Sequence, residues 1–170
     1  MKKLFPVMVL LVIFLSSCAT TDNFNIVINK PPLSQSEEER WRLLVGKWYG
    51  NTLSESGVRR EIITVRLDDG TYKIRFRISD QMQVVEERTE VGRWGISGPI
   101  YFTIYFGWIE GDEFYPSDSL APYNQDAYRI IMLNDEIFEY EHVVVQAKFV
   151  AKKVPLDFEF PKEHTRIKSE

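Results

Sequence analysis

From Arg59 onward, hydrophobic positions recur at every second residue, the period of a strand with one buried face. In "TYKIRFRIS", Tyr72, Ile74, Phe76 and Ile78 point one way and Lys73, Arg75 and Arg77 the other. In "EIITVRLDDG", Ile63, Val65 and Leu67 share one face, Arg60, Thr64 and Arg66 share the other, and Asp69-Gly70 signals a hairpin. "QVVEERTEVGRWGIS" predicts a more polar strand with a bend or bulge at Gly92 or Gly95. "PIYFTIYFGW" is apolar on both faces, and "AYRIIMLNDEIFEYEHVVV" predicts a hairpin turning near Asn134-Asp135. "AKFVAKKV" is the last strand, ended by Pro155. About eight strands at such spacings predict an antiparallel sandwich or barrel and argue against βαβ folds.

One stretch has a different period. In "SEEERWRLLV", Ser36 with Glu39 fits a capping box, and Trp41, Leu44 and Val45 form an apolar stripe. Gly46 is a natural stop. A short helix followed by Gly46-Lys47-Trp48 and a train of antiparallel strands resembles the lipocalin-like (calycin-type) barrels over 36–154. The resemblance implies an all-β, antiparallel up-and-down barrel of about eight strands with a short N-terminal helix at one end. It implies that Gly46 and Trp48 close the barrel, with Trp48 packed against a basic residue of the last strand, here Lys152 or Lys153. The family's Thr-Asp-Tyr-like turn is missing, and Asn134-Asp135-Glu136 is a loose stand-in. A related group binds haem on a histidine. Here the only histidines are His142, on a strand face with Phe138 and Tyr140, and His164, in a polar tail, so haem is not expected.

Before the helix the chain reads as an address. Met1-Lys2-Lys3 precedes an apolar run of 12 residues, Leu4 to Leu15. That is a secretory pattern and is short of the ~20 residues of a spanning helix. Leu15-Ser16-Ser17-Cys18 resembles a bacterial lipoprotein processing site, which implies cleavage before Cys18 and lipidation of Cys18. Cys18 is the single cysteine, so no internal disulfide exists. Ala19, by the Gram-negative sorting rule, implies the outer membrane facing the periplasm. The expected divisions are a signal peptide at 1–17, a lipidated tether at 18–35, a barrel domain at 36–155 and a polar tail at 156–170.

Charge and chemistry narrow the function classes. Removing two lysines with the signal leaves 19 basic residues against 25 acidic, a net of −6. That disfavours nucleic acid, whose phosphates need a basic face. One cysteine and two scattered histidines do not make a zinc or copper site. The acidic "EGDEFYPSDS" lacks a calcium-loop pattern. No serine stands in a nucleophile elbow, and Glu86 and Glu90 share one strand face with Glu87 on the other, so no enzyme, metal or cofactor is expected.

What remains is the barrel interior. Tyr72, Ile74 and Phe76, with Phe102 and Phe106, Tyr128 and Tyr140, are the expected pocket lining. An apolar wall with phenol hydroxyls suits a lipid or fatty-acid-like molecule. The expectation is therefore an envelope lipoprotein whose barrel binds a small hydrophobic or amphiphilic ligand without catalysis. The alternative is a filled barrel that works as a structural or interaction protein through its surface and the long 107–126 loop, with a protein partner.

Overall fold

The computed structural model describes residues 35–80 and 83–161. The expected signal peptide, Cys18 and all but the last residue of the tether lie outside the described residues. One helix, α1 (Gln35–Leu44), is followed by β1 (Gly46–Leu53), β2 (Arg59–Arg66), β3 (Thr71–Asp80), β4 (Gln83–Ser97), β5 (Ile100–Glu110), β6 (Glu113–Pro116), β7 (Gln125–Leu133), β8 (Ile137–His142) and β9 (Lys148–Val154). The spatial order is β4-β3-β2-β1-β9-β8-β7-β5-β6, all antiparallel, and β4 also pairs with β5. Those pairings close an eight-stranded barrel of β1–β5 and β7–β9. Closure removes sheet edges. The first half of β5 pairs with β7 and the second half with β6, so β6 is a hairpin flap outside the ring.

The barrel's first end is closed by α1, and its capping explains why. A helix leaves its last carbonyls without partners. Here the Trp48 indole N–H donates to the Leu44 carbonyl at 2.9 Å, and Lys153 Nζ donates to the Leu43 carbonyl at 2.9 Å. Gly46 follows with φ +113°, the left-handed turn that glycine permits after a helix. The Trp41 ring stacks on Trp94 at 4.1 Å, and its indole N–H donates to Asp68 in the β2–β3 turn. Arg40 donates to the Gly98 carbonyl, and Glu37 accepts from the Gly98 N–H in the β4–β5 turn. The plug is thus tied to two base turns as well as to the core.

Inside, Leu44, Trp48, Tyr72, Trp94, Ile96, Tyr101 and Phe138 form the buried cluster at this closed end. The register of β4 with β5 shifts between Val91 and Gly92, where β5 carries one extra residue, Phe106. A Cβ at Gly92 would lie 2.1 Å from the Ile104 carbonyl and 2.7 Å from the Tyr72 ring, so only glycine fits opposite the bulge.

Four expectations change. The strand "PIYFTIYFGW" turns Tyr101 and Thr103 into the barrel, opposite Ile96 and Trp94, while Phe102 pairs with Gly95 on the outer face. The Phe102 ring covers the bare Cα of Gly95, within 2.4 Å of where a Cβ would stand. The 107–126 segment is not an open loop. It holds β6 and a 3-10 turn (Pro122–Asn124), with buried Asn124 donating to Ser117 Oγ and the Asp118 carbonyl. Val143–Val145 leave the ladder as a turn at the open rim.

The chain after Pro155 is also not a free polar tail as far as Pro161. It folds back over the outer face of β1–β3. Phe158 packs on Tyr49 at 5.0 Å, and buried Phe160 lies under the Arg75 and Arg77 guanidiniums at 5.0 and 4.4 Å. Lys47 donates to the Leu156 and Phe158 carbonyls, and Glu159 pairs with Arg75 and Lys47. This strap buries Ile63, whose side chain faces out of the barrel.

Candidate functional site

The inner face above the closed end is a ladder of aromatic rings. Tyr101 meets Phe138 edge-on at 5.5 Å, Phe138 stacks on Tyr140 at 4.3 Å, and Tyr140 stacks on Phe149 at 5.2 Å. Tyr128 touches Tyr140 and Phe149 edge-on. These rings come from β5, β7, β8 and β9, whose alternation sends every second residue inward. They fill the β7–β8 side and leave a cavity of about 120 Å³ against β1 and β2. Trp48, Thr64 and Arg66 lie at its inner part, Tyr140, Phe149 and Ala151 form the facing wall, and Ile62 and Arg60 continue toward the rim.

Two charge systems flank this interior. On the β2 side, Arg66 is 2% exposed; its Nε donates to Tyr101 Oη at 3.1 Å, and its guanidinium lies 4.8 Å from the Tyr101 ring and 5.3 Å from the Phe138 ring. One of its terminal nitrogens, Nη1, is buried without a hydrogen-bond partner. On the β4–β7 side, burial holds the Glu90 carboxyl above its ordinary range, with Arg88 opposing at 2.9 Å and Asp126 and Glu86 reinforcing. His142 Nδ1 accepts from the Val144 and Val145 N–H groups, which assigns the proton to Nε2, 3.1 Å from Asp126 Oδ1. Burial keeps the interior phenols protonated: Tyr140 is pushed up to about 12, and Tyr72 and Tyr128 are raised further.

Of the expected lining, the register places Tyr72, Ile74, Phe76, Tyr128 and Tyr140 on the inner face. Tyr140 borders the 120 Å³ cavity, while Phe76 borders a separate, open polar groove of about 470 Å³ beside Arg88 and Trp108. Phe102 is a correction: it does not line the interior, because Tyr101 and Thr103 take the inward row in this part of β5, while Phe106 is the unpaired residue of β5 at the register shift after Tyr105. Glu86 and Glu90 face inward with Ile78 and Ile74, and Glu87 faces outward on Arg77 at 2.6 Å. Gly46 and Trp48 stand at the closed end, and Lys153 Nζ lies 5.2 Å from the Trp48 ring centroid. Cys18 lies outside the described residues.

The expected lining omitted Arg66, Thr64, Phe149 and Ala151. A usable signal existed for β2: Arg60, Thr64 and Arg66 alternate together, and a face holding two arginines reads as solvated on pattern alone. Among the described residues no group of three His, Cys, Asp or Glu side chains is placed to hold a metal. Compared with known proteins, the chain matches no family model and no curated protein sequence.

Proposed function

We propose that this chain is a cell-envelope lipoprotein, anchored through Cys18 at the outer membrane, whose lipocalin-like barrel holds a small amphiphilic molecule without transforming it. The observation that carries the reading is the cavity between Trp48 and Arg60: a slot inside a closed barrel, walled by aromatic and aliphatic side chains together with two arginines, two threonines and an asparagine. Its volume is below the ~300–1,000 Å³ usual for drug-sized ligands, which suits a short chain or one end of a longer one. Solvent extraction of the purified full chain, followed by mass spectrometry, tests it. Recovery of a stoichiometric acyl-type compound supports the reading, and an empty extract from protein that also shows no saturable amphiphile binding counts against it. The anchor has its own test: Cys18→Ala should release the protein from membranes, and retention would contradict lipidation.

A second reading, a filled barrel acting through its surface, is favoured by the aromatic ladder and by exposed apolar residues near β6: Phe114 at 51%, Leu120 at 83% and Tyr123 at 81%. Tyr123→Glu separates the two. It should leave ligand binding intact under the first reading and abolish in-membrane crosslinks to a partner under the second.

A further inference from the structure

We infer that the cavity takes its ligand by a carboxylate, with Arg66 as the buried counter-charge at the inner end of the slot. Arg66 is buried, makes no ion pair among the described residues, and borders the cavity. Its Nε donates to the Tyr101 hydroxyl, while Nη1 is enclosed with nothing to donate to. A buried cation needs a counter-charge or a full set of acceptors, because water no longer solvates it. The two rings that contact it offset only part of that cost. Among the described residues no acidic side chain borders the cavity, so none of them supplies a partner there. A carboxylate fits the guanidinium's planar donor edge, and a short hydrocarbon chain behind it would lie along Tyr140, Phe149 and Ile62. Arg60 stands exposed toward the mouth of the same slot, so its charge attracts an incoming anion. The acids Glu90 and Asp126 belong to the β4–β7 side and leave the β2 side positive.

This inference rests on the amphiphile-binding reading, and the test separates the two. The purified full chain is titrated with hexanoate and with 1-hexanol, followed by calorimetry and by tryptophan fluorescence, to which Trp48 in the cavity wall contributes. The expected result is saturable binding of both, with hexanoate at least about tenfold tighter, the range of a charge-assisted hydrogen bond. Arg66→Met should erase that preference, and Arg66→Lys should keep part of it. If Arg66→Met does not fold, the wild-type preference at neutral pH and its disappearance below the acid's pKa decide the matter together with Arg66→Lys. Equal affinity for acid and alcohol, or a preference that survives in folded Arg66→Met, overturns the carboxylate inference and leaves the binding reading standing. No binding of either probe overturns both.

Discussion

Lys153 Nζ lies 5.2 Å from the centre of the Trp48 ring and at the same time donates to the Leu43 carbonyl at 2.9 Å. Trp48 and Lys153 are directly paired across β1 and β9, so the first and last strands of the barrel meet at the C-terminus of the plug helix. A cation there satisfies both the ring face and the negative end of α1. Lys153→Met should cost about 1–2 kcal/mol, because the aliphatic stem remains and the charge is lost. Trp48→Ala should cost about 3–5 kcal/mol as a fully enclosed aromatic. In denaturant titrations the double variant should fall short of the sum, since both changes remove one contact; strict additivity would show that the contact carries no energy.

Phe160 is the anchor of the strap over β1–β3. It is buried between two arginines that would otherwise project into solvent, and Ile63 beneath the strap is 1% exposed. Phe160→Ala should destabilise the barrel by about 1–3 kcal/mol, below the loss for a core phenylalanine because one side of the site opens to water. Thermal unfolding measures it, and an unchanged melting temperature would show that the strap is energetically idle.

Glu90 makes a pH prediction whose sign is fixed by burial. Its carboxyl is held above the ordinary range in the folded chain, so the folded form keeps its proton to higher pH than the unfolded form. That contribution to stability is complete below the unfolded carboxyl's range and is lost as pH rises through the raised folded value. Glu90→Gln removes the loss. The variant should gain on the wild type as pH rises from the ordinary carboxylate range through the raised folded value, and the ion pair to half-exposed Arg88 that it gives up is worth little. A melting-temperature difference that stays constant as pH rises from the acid range to neutrality would contradict the assignment.

Much of this architecture was readable because local and global signals agreed. "TYKIRFRIS" alternates strictly, and β3 puts Tyr72, Ile74 and Phe76 inward as that alternation requires. Asp69-Gly70 makes its turn with Gly70 at φ +79° and Asp69 accepting from Thr71. Asn134 closes the β7–β8 hairpin through its side chain, which accepts from the Glu136 and Ile137 N–H groups. β5 was not readable in the same way. Both of its rows are apolar, so period two carries no direction, and the choice was made by partners elsewhere: Arg66 for Tyr101 and the bare Gly95 for Phe102. Arg66 itself was hidden because a charged residue on a strand normally marks the wet face. The strap was hidden because Phe158 and Phe160 sit among charges, and their burial depends on long-range contacts with Tyr49, Arg75 and Arg77.

The cavity offers the most direct test of the account. Ala151 is a small residue in its wall, 8% exposed and paired with Phe138. Ala151→Leu adds a side chain into the empty space, where filling a void leaves stability near or above that of the wild type. Isothermal titration of both proteins with hexanoate should give saturable, one-to-one binding for the wild type and none for the folded Ala151→Leu chain. No binding by the wild type, or equal binding by both, would contradict a ligand-holding barrel interior.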